Sequence, residues 1–207
     1  MVVMILAVLA AYCLGAFPTS YLVARVVTGV DIREHGSGNA GATNVARVVG
    51  KVPGLLVLLV DLGKGWVAAA PGASWAVLAG ATAPLETMQA LCGFCAVCGH
   101  IWSPFLEFRG GKGVATTAGM LFGLSPVFGL IALLVWGLTA AITRYVSVSS
   151  IVAVIVVPLL MAATARPVSW VTASALLCVI IVAKHRANIV RLLHHQESRL
   201  GHPKKQS

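Results

Sequence analysis

Charged residues are scarce in this chain, at 10% of 207 residues, and only six of them are acidic. A soluble domain carries about 25% charged residues to solvate its surface, whereas 58% of this chain is apolar and its mean hydropathy is +0.92. The shortage of charge therefore excludes an ordinary soluble protein. At roughly 20 apolar residues per crossing, the length accommodates about five to seven membrane spans and no separate soluble domain.

Basic residues are missing from the first 24 positions, and the first one is Arg25. No small-residue cleavage site follows the first apolar run either. A secretory signal peptide needs both features. We therefore expect residues 1–24 to remain in the protein as its first membrane span.

Aromatic residues are also few, at 7%, although the net charge of +9 raises the question of nucleic-acid binding. The basic residues are interleaved with apolar runs and form no basic stripe or nucleic-acid motif. The sequence therefore predicts no nucleic-acid partner. The cations fit the cytoplasmic excess of Lys and Arg beside membrane spans, and some of them are candidates for holding anionic substrates.

The five cysteines all lie in apolar stretches, and three of them form a C-x-x-C-x-x-C run at Cys92, Cys95 and Cys98. An iron–sulfur cluster needs a fourth ligand, and no other cysteine lies nearby in the sequence. The surrounding residues LCGFCAVC favour a single helix. We interpret the three thiols as small helix-packing side chains.

The apolar runs occupy residues 1–24, 53–80, 86–106, 113–142, 149–165 and 167–184. The fourth run is too long for one span and contains Ser125-Pro126 near its middle, which predicts two short helices joined by a turn. The sequence thus predicts an all-α, polytopic integral membrane protein with about seven transmembrane helices. Between the second and third spans, Pro71-Gly72 and Pro84 are both possible loop sites.

The basic residues predict the orientation of these spans. With the N-terminus outside, the cytoplasmic segments are residues 25–51, Arg109 with Lys112, Arg144, and everything from Lys184 onward. Only Arg166 then lies outside, whereas a five-span arrangement would place Arg144 outside as well. We expect one transmembrane domain over residues 1–193 and a polar, flexible cytoplasmic tail over residues 194–207.

Asp61 and Lys64 are an ionisable pair inside the second apolar run, three positions apart on one helical face. Ionisable residues within a membrane are candidates for function. A mutually neutralising pair near the end of a span is an equally good structural explanation. The sequence leaves both interpretations open.

The first polar cluster is HGSGNAGATNVAR at residues 35–47, in the first predicted cytoplasmic loop. Its glycines match G-x-G-x-x-G, but a membrane helix precedes them instead of the β-strand that a dinucleotide site requires, so we reject that interpretation. Glycines let backbone N–H groups converge on an anion. The side-chain donors are Ser37, Asn39, Thr43 and Asn44, and Arg47 adds a bidentate cation. The cluster therefore predicts phosphate binding rather than an ordinary loop.

The second polar cluster covers residues 99–116 and contains His100 and the run Gly110-Gly111-Lys112-Gly113. It is not a Walker A loop, because glycine, not Ser or Thr, follows the lysine. The glycine turn leads into a helix N-terminus, where free N–H groups and the helix dipole favour an anion. Lys112 adds a point charge there.

The third polar cluster follows the last apolar run directly. His185 and Asn188 share a helical face, Arg191 continues it one turn further, and Glu197 comes after. Taken alone, these residues are typical of the basic flank that ends a membrane span. The presence of two other clusters on the same predicted face favours a shared site.

With three such clusters on one membrane face, the chain resembles the bacterial acyl-phosphate:glycerol-3-phosphate acyltransferase family, the PlsY type. The matching residues are Ser37-Gly38-Asn39-Ala40-Gly41-Ala42-Thr43-Asn44 with Arg47, His100 with Gly110-Gly111-Lys112-Gly113-Val114-Ala115-Thr116, and His185-Arg186 with Asn188, Arg191 and Glu197. The resemblance spans essentially the whole chain. One departure is His195-Gln196-Glu197, where the family usually has Gly-Thr-Glu, which puts the backbone turn before the glutamate in question.

This resemblance implies a seven-helix enzyme of the bacterial inner membrane, with its active site facing the cytoplasm. It implies transfer of a fatty acyl group from acyl phosphate to the 1-hydroxyl of glycerol 3-phosphate, giving lysophosphatidic acid, the first phospholipid precursor. We expect a monomer whose partners are these two substrates and membrane lipid.

The residues expected to hold glycerol 3-phosphate and to act in catalysis are Ser37, Arg47, Lys112, His185 and Asn188. The further residues expected to bind substrate are Gly38, Asn39, Ala40, Gly41, Thr43, Asn44, His100, Gly110, Gly111, Ser150, Arg191 and Glu197, with Ser150 resting on the family resemblance alone. Within this set, the segment from Gly38 to Thr43 and the Gly110-Gly111 turn are expected to cradle the acyl phosphate and the developing oxyanion.

An acyl phosphate is already an activated anhydride, so direct attack by the acceptor hydroxyl needs no enzyme nucleophile. The sequence has no H-x-x-x-x-D motif. His185 is one candidate base, with an unperturbed pKa near 6.5, and a substrate phosphate is the other, which the resemblance favours. The carboxylates are too scattered for a two-metal site, and we expect no metal and no cofactor.

Two other classes of function are compatible with the sequence. A transporter or flippase of a phosphorylated solute usually shows internal repeats and a midplane site, whereas this chain has no clear repeat and gathers its donors at one interface. The other alternative is a non-catalytic membrane binding or scaffold protein, which the sequence does not exclude.

Overall fold

The computed structural model describes residues 1–201, and all of its regular elements are helical. The α-helices are α1 (Val2–Ala16), α2 (Thr19–Thr28), α3 (Ala42–Val48), α4 (Lys51–Val67), α5 (Ala73–Leu78), α6 (Leu85–Ile101), α7 (Val114–Leu124), α8 (Pro126–Thr143), α9 (Val146–Ala163), α10 (Val168–Lys184) and α11 (Arg186–Leu193). Short 3-10 turns form at Ile32–Glu34 and Pro104–Leu106, and a π turn at Ala68–Gly72 joins α4 to α5. The predicted all-α membrane fold is confirmed.

Five helical units are long and apolar enough to cross a membrane, and the count is six if the bent pair α10 and α11 forms one span. The five are Val2–Thr28, Lys51–Leu78, Leu85–Leu106, Pro126–Thr143 and Val146–Ala163. The remaining apolar helix, α7, has 11 residues and a length of about 17 Å, roughly half of the hydrocarbon core. All seven predicted apolar segments are thus helical, with α7 too short to cross alone, and the orientation stays a prediction.

The two prolines Pro71 and Pro126 differ in their effect on the helices. Ser125-Pro126 separates α7 from α8, as the sequence predicts, because proline lacks the N–H that would continue the first helix. Pro71 does not end the second span, since the π turn carries the chain through it. The loop between the second and third spans lies instead at residues 79–84.

The buried pair Asp61 and Lys64 stabilises the break in the first span. The Lys64 ammonium donates to the Phe17 carbonyl at 2.6 Å and to the Asp61 carboxylate at 2.9 Å. Both side chains are less than 5% exposed. A buried charge is tolerated when it is paired and hydrogen-bonded. The pair therefore satisfies the backbone carbonyl ahead of Pro18 and ties α1 to α4.

Glycines allow α4 and α7 to pack backbone against backbone. A Cβ added at Gly65 would lie 1.9 Å from the Thr116 carbonyl oxygen, and one added at Gly119 would lie 1.8 Å from the Leu62 carbonyl oxygen. Small residues at helix interfaces are the usual means of close association within a membrane. This contact places the N-terminus of α7 beside α4, where the site forms.

The residues after α11 contact the rest of the fold. The Leu200 amide donates to the Arg144 carbonyl at 2.8 Å, and Glu197 is only 7% exposed. The flexible tail over residues 194–207 stays a prediction. Residues 202–207 lie outside the described part of the chain.

Replacing Gly65 with alanine is expected to lower the thermal unfolding midpoint in detergent, because the added methyl group meets a backbone carbonyl that cannot move aside. Overpacking of this kind typically costs about 1–3 kcal/mol. Gly63→Ala is the matched control on the same helix, since nothing lies within 4 Å of a Cβ at that position. Equal midpoints for the two variants would contradict the tight α4–α7 contact.

Candidate active site

A cavity of about 420 Å³ lies between α4, α7, α8 and α9 and is also lined by residues of the three polar clusters. This volume is in the range of sites for small organic ligands. Its apolar walls are formed by Leu58, Leu59, Leu62, Ala118, Leu121, Ala132, Leu133, Trp136, Ala153 and Val154. Its polar end is formed by side chains from the loop before α3, the turn before α7, and the region around α11.

Most of the predicted site residues line this cavity. All five residues assigned to catalysis do so, namely Ser37, Arg47, Lys112, His185 and Asn188. Of the residues assigned to substrate binding, the cavity-lining ones are Asn39, Gly41, Thr43, Asn44, His100, Ser150 and Glu197. Those outside the cavity wall are Gly38, Ala40, Gly110, Gly111 and Arg191. Three stretches far apart in the sequence therefore do converge.

The Gly110-Gly111 turn does not offer the N–H groups that the sequence suggests for an oxyanion. The Gly110 amide donates to the Ile101 carbonyl and the Gly111 amide to the His100 carbonyl, each at 3.2 Å. A Cβ at Gly111 would lie 2.1 Å from His100 Nε2. The expected cradling role is thus corrected: the glycines let the turn lie flat against the end of α6, which places Lys112 in the cavity.

The loop before α3 is held together by Asn44, which is only 1% exposed. Its side-chain oxygen accepts from the Ser37 amide at 2.9 Å, and its amide group donates to the Ile32 and His35 carbonyls at 3.1 and 2.9 Å. The Asn44 amide group is therefore occupied within the loop. Its contribution to binding is to orient Ser37 rather than to donate to a substrate.

A hydrogen-bonded chain connects the second and third clusters. The Lys112 ammonium donates to Asn188 Oδ1 at 2.5 Å, and Asn188 Nδ2 donates to Glu197 Oε1 at 2.7 Å. Glu197 also accepts from Ser147 Oγ at 2.9 Å and from Arg191 Nε at 2.8 Å. Arg191 thus acts through Glu197 rather than from the cavity wall. The chain fixes the ammonium at the polar end.

The pKa values of both Lys112 and Glu197 lie below their ordinary values. Burial alone would raise the pKa of the Glu197 carboxyl, but hydrogen bonds from Asn188, Arg191 and Ser147 outweigh it and hold that pKa below its ordinary value. The pKa of Lys112 is lowered to about 8, mainly by burial and also by the nearby Arg191 and Arg47, against the opposing pull of Glu197. Lys112 is therefore mainly protonated at neutral pH, and it loses its proton as the pH rises through about 8.

His185 lies at the junction of α10 and α11, just past the end of the membrane span. Its Nδ1 is 2.8 Å from the Ile181 carbonyl oxygen, and a carbonyl can only accept, so Nδ1 carries the proton and Nε2 the lone pair. Burial, with Lys112 as a second cause, lowers the pKa of His185 to about 4. At neutral pH the ring is uncharged and weakly basic.

The N-terminus of α7 opens onto the polar end. Gly113 precedes this helix with φ at 86°, a conformation that glycine adopts without strain, and Gly113, Val114 and Ala115 all line the cavity. The first amides of a helix have no intrahelical partner and carry the positive end of the dipole. The predicted anion-binding helix terminus is therefore directed at the cavity.

Ser147 and Trp136 are among the cavity residues that the sequence analysis missed. Ser147 donates to Glu197, and Trp136 Nε1 donates to Ser150 Oγ at 3.2 Å at the boundary between polar and apolar walls. A signal for Ser147 was present, because the polar run VSVSS opens a membrane helix directly after the basic Arg144. No feature of the local sequence distinguishes Trp136 from any other aromatic residue in a membrane span.

Residues 5–195 match the sequence model of the family described as glycerol-3-phosphate acyltransferase. The chain belongs to this family. Among curated members, it is 43% identical over 197 residues to glycerol-3-phosphate acyltransferase 2 of Moorella thermoacetica, covering 95% of this chain and 97% of the relative. It is 46% identical over 190 residues to the glycerol-3-phosphate acyltransferase of Desulforudis audaxviator, covering 92% of each.

Solved structures in the glycerol-3-phosphate acyltransferase family share the fold as well. The crystal structure of PlsY, an integral membrane glycerol 3-phosphate acyltransferase, in its glycerol 3-phosphate form matches with a TM-score of 0.86 at 37% identity, covering 96% of each chain. The lysophosphatidic acid form matches with a TM-score of 0.83 at 37% identity, covering 95% of this chain and 94% of the other.

The departure from the family pattern at His195 is absorbed by the backbone. His195 has φ at 54°, in the left-handed region that favours glycine. In this chain histidine takes that conformation, and two residues later Glu197 accepts hydrogen bonds from Ser147, Asn188 and Arg191.

The catalytic efficiency kcat/KM for glycerol 3-phosphate is expected to decline as the pH rises through about 8, because Lys112, with its pKa lowered to about that value, loses its charge there. The pH dependence of kcat/KM reports groups of the free enzyme. In Lys112→Arg this decline should disappear, at a lower maximal rate, since arginine stays protonated.

The matched control for this measurement is Lys51→Arg, the same substitution at an exposed lysine outside the cavity. The control should retain the decline of the unmodified protein. An alkaline decline that persists in Lys112→Arg would show that another group, or the substrate, causes it.

Proposed function

We propose that this protein transfers a fatty acyl group from acyl phosphate to the 1-hydroxyl of glycerol 3-phosphate, forming lysophosphatidic acid and phosphate. The observation that carries the proposal is one cavity in which cations and hydrogen-bond donors at one end adjoin an apolar passage between membrane helices. The product combines the same two parts, a charged head and an acyl chain. Membership of the glycerol-3-phosphate acyltransferase family and the likeness to PlsY in two liganded forms support the proposal.

The polar end supplies positive charge for two phosphorylated substrates. Arg47 and Lys112 line it from different segments, and the α7 N-terminus adds the positive end of its dipole. The planar Arg47 guanidinium suits bidentate contact with a phosphate. Ser37, in the loop before α3, and Asn188, on α11, line the same cavity. These groups hold the acceptor hydroxyl near the acyl carbon, where proximity replaces a nucleophile.

The apolar passage fits an acyl chain. From Val114 to Leu121, the α7 wall runs over eight residues, which is about 12 Å of helix. Trp136 stands where the polar wall gives way to the apolar one, with its N–H directed to Ser150. Burial of each methylene group contributes about 0.8 kcal/mol. The passage therefore orients the acyl carbonyl toward the phosphate end.

The reaction proceeds by direct attack. The 1-hydroxyl oxygen forms a bond to the acyl carbon, the bond from that carbon to the bridging oxygen breaks, and phosphate leaves with the electron pair. The hydroxyl proton passes to a phosphate oxygen of the substrates, because a phosphate monoester with a second pKa near 6 is a better base than His185, with its pKa lowered to about 4. His185 then positions the hydroxyl through Nε2.

The same charges support a site that faces the cytoplasm of a bacterial inner membrane. Arg47, Lys112 and Asn188, from the three predicted cytoplasmic segments, meet at the polar end of one cavity. Arg166, the one cation predicted outside, packs over Phe128 at the opposite end of α8, 5.3 Å from the ring centroid. The excess of cations at the cavity end is that of a cytoplasmic face.

The donor assignment is tested with purified protein in detergent micelles, without a sealed compartment. Acyl phosphate and glycerol 3-phosphate should give equal amounts of phosphate and lysophosphatidic acid, and Arg47→Ala should reduce the rate by about 10²- to 10³-fold. A transporter or a scaffold protein would give neither product. Turnover with acyl-CoA equal to that with acyl phosphate would reject the proposed donor.

Replacing His185 with glutamine distinguishes positioning from proton transfer. We expect a lower kcat/KM with an unchanged acidic limb in its pH profile, because a ring with a pKa near 4 is uncharged throughout the working range. The comparison is the profile of the unmodified protein under the same acyl phosphate concentration. Loss of an acidic limb in the variant would assign the base to His185.

A further inference from the structure

The short segment after α11, residues 196–200, crosses back to the turn between α8 and α9, and we call it the C-terminal strap. Its Leu200 amide donates to the Arg144 carbonyl at 2.8 Å. Arg199 Nε donates to the Tyr145 hydroxyl at 2.9 Å, and the Arg199 guanidinium lies 5.3 Å from the Tyr145 ring centroid. The strap is thus anchored by a backbone contact and a side-chain contact at the same turn.

Glu197 lies on this strap between two anchors. On its N-terminal side, the Gln196 and Glu197 amides donate to the Arg191 carbonyl at 2.7 and 3.1 Å, which ends α11. On its C-terminal side, the contacts of Arg199 and Leu200 hold the chain to the α8–α9 turn. The segment itself is not helical. Its geometry therefore depends on both ends being held.

We propose that Tyr145 and Arg199 are positioning residues for acyl transfer. Their contact holds the C-terminal strap in place, and the Glu197 carboxylate on the strap then orients Asn188 and Lys112. Neither residue lines the cavity. They act through Glu197, whose carboxylate accepts from Asn188 at 2.7 Å and from Ser147 at 2.9 Å. The inference rests on the proposed function, because Lys112 and Asn188 are the groups there that hold the phosphates.

Release of the strap has a specific electrostatic consequence. The charged groups that act on Lys112 are Glu197 from the strap, Arg191 from α11 and Arg47 from α3, and His185 at the start of α11 is a neutral neighbour. Glu197 alone among them favours the charged ammonium. If its carboxylate withdraws, the two arginines act unopposed and Lys112 loses its proton at a lower pH. The alkaline decline of kcat/KM then moves to lower pH.

The test compares Tyr145→Phe, Arg199→Ala and Leu200→Pro with the unmodified protein in the detergent assay. Tyr145→Phe removes the hydroxyl that accepts from Arg199 and keeps the ring, and Leu200→Pro removes the amide that reaches Arg144. We expect the KM for glycerol 3-phosphate to rise by about three- to tenfold, the size of one net hydrogen bond, together with an alkaline decline at lower pH. Arg199→Lys should recover part of the loss, because it keeps a cation over the ring.

Arg166→Ala is the matched control, since it removes an arginine over an aromatic ring at the same 5.3 Å separation but at the other end of the fold. It should change neither KM nor the pH profile. Thermal midpoints are measured for every variant. Variants of Tyr145 and Arg199 that shift only the midpoint, or that match Arg166→Ala in KM and pH profile, would overturn the proposal. An inactive unmodified protein would instead reject the proposed function.

Discussion

The hydrogen-bonded chain from Lys112 through Asn188 to Glu197 is the interaction on which the site depends. It joins residues 76 positions apart in the sequence and makes one polar end out of two separate clusters. A mostly buried ammonium is costly unless it is paired and hydrogen-bonded. The Glu197 carboxylate meets that requirement indirectly, through the Asn188 amide, so Lys112 keeps donors free for an anion.

The position of this chain of hydrogen bonds is set by close backbone contacts elsewhere. Gly65 and Gly119 let α7 approach α4, and Gly111 lets the preceding turn lie against His100. Lys112 and the α7 N-terminus then line the same cavity. Because the contacts of Gly65 and Gly119 are with backbone oxygens, a methyl group added at either position displaces a helix rather than a side chain. Close packing at these glycines thus brings the charged groups of the site together in one cavity.

The membrane explains why charge is so unevenly distributed over the described residues. In hydrocarbon, a polar group without a partner is more costly than in water, which restricts buried charges to pairs such as Asp61 and Lys64. The remaining cations gather where water is within reach, and there they meet the phosphorylated ends of lipid precursors. The proposed transfer from an activated donor needs only to bring that donor and a hydroxyl together, which agrees with a site rich in hydrogen-bond donors.

The sequence by itself determined the class of the protein and much of its site. Hydropathy and the proline at position 126 predicted the helices, because these are local properties, and three clusters of donors indicated many of the polar residues that line the cavity. Only the tertiary structure decided which acceptors those donors bind. The Gly110 and Gly111 amides donate to carbonyls at the end of α6, and the Asn44 side chain bonds within its own loop. Ser147 donates to Glu197 from another helix. The choice of a hydrogen-bond partner is a long-range property, since a donor bonds to whatever acceptor the packed helices bring within 3 Å, and no periodicity in the sequence encodes that.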